Sequence, residues 1–378
     1  MNNMDTMRLV KRSPTEEILT EERLREYLKQ NKKLKHYIGF EISGYVHIGT
    51  GLICMQKVAD LQKAGIETSV LLADYHSWIN KKLGGDMDVI RRVAGGYFKE
   101  ALKESLKVVK GDPSKTQFIM GTELYEKAGL NYFDNVLKIS METTLSRIRR
   151  SISIMGRKQG ETLHFAQLIY PAMQVADIFT LKVNLAHGGM DQRKAHVIAI
   201  DVGDKIFGYK PVALHHHVIM GLDTTRTQYQ RILEAKKKRD REMLENELIE
   251  LKMSKSRPKS AIFIHDSERE IRNRIRKAFC PMKETTLNPI LELVKYLIVR
   301  QLEDKKIELI NKKTGKKLIF EGYNDLERAY SKGLIHPLDL KEYVADKIIQ
   351  ILAPIRKYFN EGKGKKYIEE MKQITVTR

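Results

Sequence analysis

Two short segments, far apart in the chain, carry groups suited to chemistry on a polyphosphate. His47-Ile48-Gly49-Thr50 follows an apolar stretch and precedes an amphipathic one, which predicts an imidazole and a glycine at the start of a helix. Unpaired N–H groups and the helix dipole favour an anion there. Lys252-Met253-Ser254-Lys255-Ser256 places two ammonium groups and two hydroxyls on a short loop. Such groups stabilise charge that develops when pyrophosphate leaves an α-phosphate, so the two segments predict an ATP site.

A second candidate site lies on one predicted helix. Tyr170, Gln174 and Asp177 are spaced i, i+4, i+7 in an otherwise apolar stretch, so they share one helix face. A buried carboxylate without a partner is costly, and a substrate hydroxyl would satisfy it. A polar network closed within the core explains the pattern equally well, and the helix alone does not separate the two interpretations.

A glycine turn follows a predicted strand at His187-Gly188-Gly189-Met190-Asp191-Gln192-Arg193. In open α/β sheets ligands bind at the carboxyl ends of strands, and glycines permit a close approach to a ring or ribose. Asp191 and Gln192 add groups that hydrogen-bond hydroxyls or amines. The turn therefore predicts a ligand contact, although the pattern alone is weak.

The elements that must position these residues alternate between strand and helix. Residues 37–41 and 69–74 read as buried strands, and the helix between them ends at Gly65, which makes a βαβ unit. The parallel sheet should continue with 117–121 and 182–187. These patterns predict an α/β fold, with a doubly wound, Rossmann-type catalytic domain followed by a mostly helical C-terminal domain.

The domain boundaries follow from changes in composition and capping signals. Ser13-Pro14-Thr15-Glu16 reads as a capping box, so helices are expected over about 14–30, after a loose start before about residue 12. The predicted parts are an N-terminal helical segment at 1–30, a catalytic domain at 31–260 with a helical insertion (about 86–165) and a charged insertion (about 222–250), and a C-terminal domain at 261–378.

The charged insertion contains Lys236-Lys237-Lys238-Arg239 and several glutamates, with little apolar patterning. Blocks of charge seldom pack, which favours a mobile, solvated segment over a helical arm near nucleic acid. In the C-terminal domain Pro337 predicts a helix start, and 307–319, interrupted by Thr314-Gly315, predicts a hairpin.

Composition limits the class of protein. The 378 residues contain 68 Lys and Arg against 48 Asp and Glu, and the formal charge of +20 favours a polyanion such as nucleic acid as a partner. No long uncharged apolar run and no apolar signal core occur, so a cytoplasmic protein without a membrane span is expected. Cys54 and Cys280 lie far apart, which argues against a disulfide scaffold or a zinc cluster, and no metal ligands are predicted.

The chain resembles the class I aminoacyl-tRNA synthetases, and more specifically the tyrosyl enzymes of archaea and eukaryotes. The resemblance covers nearly the whole chain. It rests on six blocks in family order: YIGFEISGYVHIGT at 37–50, LLADYH at 71–76, IYPAMQVADI at 169–178, GGMDQRKAH at 188–196, KMSKS at 252–256 and HPLDLK at 336–341.

The resemblance implies a tyrosine pocket. Tyr37 and Asp177 would hold the phenol oxygen, while Tyr170, Gln174 and Gln192 would receive the α-amino group or shape the pocket. A carboxylate and a phenol facing a substrate hydroxyl would be left unpaired by phenylalanine, which would be rejected; tyrosyl-tRNA synthetases are themselves the standard example of this discrimination. The nearest alternative, a tryptophanyl enzyme, is disfavoured because an indole offers only one N–H donor.

The resemblance also implies roles around ATP. His47 and Gly49 would contact ATP and Lys252 and Lys255 would act on its phosphates, with Gly189 and Asp191 at the nucleotide and ribose and Mg²⁺ accompanying the ATP. Thr50 stands where many relatives have histidine. Tyrosine would be activated to tyrosyl-adenylate and then transferred to the 3′-terminal ribose of tRNA. Neither step needs a protein nucleophile.

For tRNA-Tyr the resemblance points to two surfaces. Arg150, Arg193 and Lys194 would bind the acceptor end, and His336 and Asp339 would lie where the first anticodon base is read. The aromatic residue that stacks on that base in relatives corresponds to Leu297 here, which shifts the stacking to a neighbour such as Tyr296. Family members are usually homodimers, so a homodimer is expected. A non-catalytic RNA-binding protein on the same scaffold is the remaining alternative.

Overall fold

The computed structural model describes residues 3–157, 162–304 and 306–374, and its contacts divide the chain into two units. The first unit comprises Met1–Gly44, Cys54–His217 and Glu369–Arg378, as far as these are described, and the second comprises Tyr45–Ile53 and Val218–Ile368. This division starts the second unit earlier than the predicted domain boundary at 260/261.

A six-stranded sheet forms the centre of the first unit, in the order β1-β6-β5-β2-β3-β4. Its strands are β1 (Thr15–Leu19), β2 (Lys35–Glu41), β3 (Glu67–Ala73), β4 (Thr116–Met120), β5 (Leu185–Gly189) and β6 (Val212–His216). All neighbours are parallel except β1, which pairs antiparallel with β6. The chain order reverses between β2 and β5, where ligands bind in doubly wound sheets. The predicted α/β fold is confirmed.

Helices cover both faces of this sheet, as the apolar strands require. Those of the first unit are α1 (Asn3–Lys11), α2 (Glu21–Lys29), α3 (Cys54–Lys63), α4 (Asp74–Ile79), α5 (Met87–Val93), α6 (Lys99–Val108), α7 (Gly121–Ala128), α8 (Leu130–Met141), α9 (Leu145–Ser151), α10 (Phe165–Thr180) and α11 (Arg193–Val202). In β3 every residue after Glu67 is buried, which is the pattern of a central parallel strand.

The N-terminal prediction is wrong in two respects. Thr15–Leu19 is an edge strand rather than the start of a helix, because it pairs with β6 and Glu17 hydrogen-bonds His215 of that strand. This tertiary pairing outweighs the local capping signal. Residues 3–11 are not loose either, since α1 buries Met7 and Val10 in a core cluster with α2 and α3.

The second unit is mostly helical. Its elements are α12 (Arg226–Lys238), α13 (Arg241–Leu251), α14 (Glu268–Lys277), α15 (Pro289–Leu293), α16 (Val299–Gln301), β7 (Ile307–Ile310), β8 (Lys317–Phe320), α17 (Tyr323–Ser331) and α18 (Pro337–Asn360), and the last helix of the chain is α19 (Lys365–Gln373). The predicted hairpin is confirmed as β7 and β8, and Pro337 begins α18 as predicted. No helix of the described residues is long and apolar enough to cross a membrane.

The charged insertion is folded, so the prediction of a mobile segment is wrong. It forms the hairpin of α12 and α13, and α12 buries Tyr229, Ile232 and Ala235 at intervals of three residues. Ile232 packs with Met220 and Leu251 in a small apolar cluster. This narrow apolar stripe was missed in the sequence because lysines and glutamates dominate the composition of the segment.

Candidate active site

Asp177 lies in the core of the first unit beside the strand that ends at the switch point. Asp177 belongs to α10 and is 1% exposed, and Tyr37 of β2 is 2% exposed in the core cluster that contains Ala176 and Ile178, the chain neighbours of Asp177. The charge of Asp177 raises the pKa of Tyr37, after burial itself, which places the two groups within electrostatic reach. The structure therefore brings together the two residues predicted to hold a phenol.

Three side chains that the sequence reasoning did not single out surround this carboxylate. The hydroxyl of Tyr132 on α8 donates to Asp177 Oδ1 at 3.0 Å, and its ring stacks on Tyr125 with centroids 4.0 Å apart. His76 of α4 contacts both Tyr125 and Asp177. Its Nδ1 lies 3.4 Å from the Tyr125 hydroxyl, and its Nε2 lies 3.7 Å from Asp177 Oδ2. His76 stands in the LLADYH block and was the only one of the three with a sequence signal.

The titration of Asp177 follows from these surroundings. Burial raises the pKa of its carboxyl group to about 7, and hydrogen bonds from Tyr132 and then Tyr125 oppose the rise. A carboxyl group with a pKa near neutrality in a cluster of aromatic hydroxyls is typical of a functional site. The hydrogen bonds from Tyr132 and Tyr125 also form a network within the protein. The geometry is therefore compatible with both a substrate site and a core network, the two interpretations of the sequence.

The other two residues predicted on this face of α10 are Tyr170 and Gln174. Tyr170 is buried, packs edge-on against His76 and hydrogen-bonds Glu41 at the end of β2. Gln174 Nε2 donates to Gln192 Oε1 at 3.2 Å. Gln174 Oε1 is buried and accepts no hydrogen bond from the described residues. An unpaired buried acceptor of this kind is suited to an incoming N–H donor.

The two glycines predicted to form a turn are the last residues of β5, and Gly188 is closely packed. A Cβ on Gly188 would lie 2.8 Å from Gln192 Cβ, so a larger residue would displace that side chain. His187 fixes the preceding strand through hydrogen bonds to His36 at 3.0 Å and His216 at 2.9 Å. Asp191 lies in the short helical turn Met190–Gln192 that follows Gly189.

The predicted phosphate-contacting segments lie together in the second unit. Ile48 N donates to Ile262 O, and Ile264 N donates to Val46 O, so the strand-like stretch after the KMSKS loop pairs with the segment that carries His47. This pairing explains how two segments distant in sequence meet.

His47 caps the helical turn Gly49–Ile53 rather than leaving its N–H groups unpaired, which corrects the sequence interpretation. The backbone N–H groups of Gly49 and Thr50 donate to His47 Nδ1 at 3.2 and 3.4 Å. Nδ1 must therefore be unprotonated, and the ring proton resides on Nε2, which lies 3.1 Å from Thr50 Oγ1. A Cβ on Gly49 would lie 3.0 Å from the imidazole, so glycine suits this position.

Burial, followed by the positive charges of Lys255 and Lys252, lowers the pKa of His47 to about 3. The imidazole is therefore neutral at physiological pH and can serve as an N–H donor, while the positive charge of the site comes from the two lysines. The resemblance assigned His47 to ATP and the two lysines to its phosphates, and these assignments stay predictions.

The KMSKS loop is shaped by residues that follow it. Arg257 forms an ion pair with Asp223 at 3.1 Å and donates to Lys252 O at 2.9 Å. Buried Ser260 hydrogen-bonds both the N–H and the carbonyl of Ser254. These contacts hold the loop backbone that carries Lys252 and Lys255.

The predicted tRNA contacts of the first unit differ in availability. Arg150 is exposed, and Lys194 Nζ donates to its carbonyl oxygen at 2.8 Å, so these two cations are adjacent. The Nε–H of Arg193 instead donates to both carboxylate oxygens of Glu17, at 2.9 and 3.0 Å. Arg193 therefore already has a structural role, because its contact with Glu17 helps to hold β1 in place.

The predicted anticodon residues also differ. His336 is exposed and caps α18 by accepting from Leu338 N, whereas Asp339 in the first turn is only 7% exposed. Leu297 is fully buried and cannot stack on a base. Tyr296 is half-buried, with Lys295 Nζ 5.1 Å from its ring centroid, and its role as the alternative stays a prediction.

The fold and these sites define a class of enzyme. The model for class I tRNA synthetases of the tryptophan and tyrosine type matches residues 29–353, so the chain belongs to that family. It is 48% identical to a tyrosine–tRNA ligase of Thermococcus kodakarensis over 98% of both chains.

Solved structures agree with this placement. A tyrosyl-tRNA synthetase of Pyrococcus horikoshii, solved with L-tyrosine, superposes with a TM-score of 0.90 at 47% identity, covering 99% of this chain and 100% of that one. A tryptophanyl-tRNA synthetase of Aeropyrum pernix shares the fold alone, with a TM-score of 0.64 at 18% identity over 96% and 86% of the two chains.

Proposed function

We propose that this protein is a tyrosine–tRNA ligase, which activates L-tyrosine with ATP and transfers it to tRNA-Tyr. The observation that carries the proposal is the buried Asp177 carboxylate, which accepts a hydrogen bond from Tyr132 and whose charge acts on the hydroxyl of Tyr37. The hydroxyl of a phenol can donate to this carboxylate and also accept a hydrogen bond. The N–H of an indole lies at a different place on the ring and can only donate. The identity to tyrosine–tRNA ligases supports the same substrate.

In the first step the tyrosine carboxylate attacks the α-phosphate of ATP, forming the mixed anhydride and releasing pyrophosphate. Lys252 and Lys255 balance the charge that accumulates on the phosphates, and neutral His47 donates its Nε2 proton as a hydrogen bond. Gly189 contacts the nucleotide, and Asp191 lies near its ribose. Mg²⁺ enters as the counterion of ATP.

The tyrosine α-amino group is a donor, and Gln174 Oε1 is a buried acceptor that awaits one. Gln192 fixes the amide of Gln174 from the other side, since its own amide donates to Ile154 O at 3.1 Å. Tyr170, held by Glu41, shapes the same side of the pocket. These residues would orient the carboxylate for in-line attack, which is where most of the rate comes from in a reaction without a protein nucleophile.

In the second step a 3′-terminal ribose hydroxyl of tRNA attacks the activated carbonyl and AMP leaves. The exposed Arg150 and the adjacent, half-buried Lys194 are candidates for the acceptor end, and Arg193 would have to leave Glu17 to join them. His336, Asp339 and Tyr296 are the candidates at the anticodon. The formal charge of +20 supports a polyanionic partner, and the reaction belongs in the cytoplasm.

A homodimer is supported by helix α8. Its inward face buries Tyr132, Val136 and Ile139, while its outward face exposes apolar residues at i, i+3, i+7 and i+11. These are Leu130, Phe133, Leu137 and Met141, exposed by 73%, 56%, 45% and 84%. A helix that is apolar on both sides is normally covered on both, and a second copy of the chain can offer the same stripe in return.

The test of the proposed function is ATP–pyrophosphate exchange with single amino acids, followed by transfer to tRNA-Tyr. Tyrosine should drive exchange, and phenylalanine and tryptophan should not. Exchange driven by tryptophan would favour the tryptophanyl alternative. Binding of tRNA without any exchange at saturating tyrosine and ATP would establish a non-catalytic RNA-binding protein.

A further inference from the structure

The hairpin of α12 and α13 ends in a cluster of exposed cations that the reactions above do not use. Lys236, Lys237 and Lys238 form the last turn of α12, and Arg239 follows in the left-handed conformation that ends the helix. All four side chains are exposed. Lys238 is paired with Glu234 at 2.5 Å, whereas the other three make no ion pair with any side chain that the structure describes.

Stabilisation of the helix end explains only part of this cluster. Cations in the last turn favour the negative end of the helix dipole, but this benefit is small at exposed positions and declines within one turn. The charges are also segregated along the chain: α12 contains five Lys and Arg against a single Glu. Mixed signs would serve solubility equally well, so the segregation indicates a partner of negative charge.

The cluster stands on a rigid support. Asp240 N donates to Ala235 O at 3.0 Å, and the Asp240 side chain accepts from Met243 N, so two residues turn the chain from one helix into the next. At the base of the hairpin the hydroxyl of Tyr229 donates to Glu284 at 2.9 Å. A preorganised array of cations loses less entropy on binding than one on a mobile loop.

The hairpin joins the ATP site directly. Leu251 is the last residue of α13 and Lys252 begins the KMSKS loop, so no linker separates them. The 11 residues of α13 span about 16 Å, which is the distance from the loop to the cationic tip. A nucleic-acid strand carries one phosphate about every 3.4 Å, so a tRNA whose 3′ end lies at the loop has backbone phosphates within this length.

We propose that Lys236, Lys237 and Arg239 bind backbone phosphates of the tRNA acceptor arm. This inference rests on the proposed function, since it assumes that tRNA is the substrate of the second step. The contact reads charge and shape rather than sequence, because lysine and arginine on a helix end can neutralise phosphates of any sequence. It gives the insertion a task in tRNA binding and none in the chemistry of activation.

The experiment compares three variants by pyrophosphate exchange, which requires no tRNA, and by aminoacylation of tRNA-Tyr at several salt concentrations. The test variant carries Lys236→Ala, Lys237→Ala and Arg239→Ala. A second exchanges the cations for each other, as Lys236→Arg, Lys237→Arg and Arg239→Lys. A third removes the same net charge elsewhere, as Lys110→Ala, Lys115→Ala and Lys127→Ala, from exposed positions of the first unit.

The test variant should keep wild-type exchange and show a KM for tRNA raised about tenfold, with a reduced dependence on salt, because three phosphate contacts are lost. The charge-preserving and the distant variants should resemble the wild type. An unchanged KM, an equal change in the distant variant, or a loss of exchange in the test variant would each overturn the inference. Absence of tyrosine-dependent exchange in the wild type would instead refute the proposed function.

Discussion

At the scale of single residues, the character of the pocket depends on Asp177. Its place on α10 with Tyr170 and Gln174 could be read from their spacing, because a helix repeats every 3.6 residues. Tyr132, Tyr125 and His76 could not be found in that way. They come from α8, α7 and α4, and only the packing of those helices brings them to the carboxylate.

The first prediction concerns the pH dependence of tyrosine activation. Asp177 must be ionised to accept the substrate hydroxyl, and its pKa is about 7 in the free protein. The value of kcat/KM for tyrosine in pyrophosphate exchange should therefore rise with pH through about 7 and then level off. Tyr132→Phe removes the hydrogen bond that lowers this pKa most. The pH profile of the variant should therefore shift to higher pH by roughly one to two units.

Tyr209→Phe is the matched control, since Tyr209 is also largely enclosed in the first unit but its hydroxyl donates to Val183 O. Its pH profile should coincide with that of the wild type. Coincident profiles for Tyr132→Phe and the wild type would show that the Tyr132 hydroxyl does not act on Asp177.

At the scale of elements, the parallel strands and the helices between them followed from apolar patterning, because central strands are buried on both faces. The errors lie where tertiary contacts overrule local signals. Thr15–Leu19 carries a helix-start pattern but pairs with β6. The α12–α13 hairpin is charged overall, yet a stripe of one residue per turn suffices to pack it.

The KMSKS loop gives the second prediction. Arg257 ties Asp223 to the loop backbone, so Arg257→Ala should leave Lys252 and Lys255 less well positioned. We expect kcat for pyrophosphate exchange to fall between about 10- and 100-fold, because small misplacements of catalytic groups are costly. The KM for tyrosine should stay within about twofold, since the amino-acid pocket is built from other residues.

Asp223→Asn provides the companion variant, because it weakens the ion pair while keeping the shape of the side chain. Its loss of kcat should be smaller than that of Arg257→Ala. A rise in the KM for tyrosine with kcat unchanged would contradict a role through the loop.

At the scale of the whole molecule, Asp177 and its neighbours belong to the first unit, whereas His47 and the KMSKS loop belong to the second. The sequence motifs did not indicate that residues 45–53 belong with 218–368. The short antiparallel pairing at Ile48 and Ile262 holds residues 45–53 in the second unit, and no local sequence pattern predicts this pairing.

The third prediction concerns assembly. The wild type should have the mass of two chains in light scattering coupled to size-exclusion chromatography. Phe133→Asp combined with Leu137→Asp places two charges in the apolar stripe of α8 and should give monomers, because a buried unpaired charge costs several kcal/mol. Leu334→Asp, at an exposed leucine of the second unit, should remain dimeric. A monomeric wild type or a dimeric double variant would refute this interface.

The most direct test of the account is tyrosine-dependent pyrophosphate exchange by the wild type and by Asp177→Ala. Circular dichroism and thermal melting should show that the variant is folded, with the near-isosteric Asp177→Asn measured alongside it. The account predicts that kcat/KM for tyrosine falls about 100-fold or more in Asp177→Ala, because the phenol loses its acceptor inside the pocket. It also predicts a smaller loss in Asp177→Asn. Exchange at the wild-type level in a folded Asp177→Ala protein would contradict the claim that this carboxylate recognises the substrate.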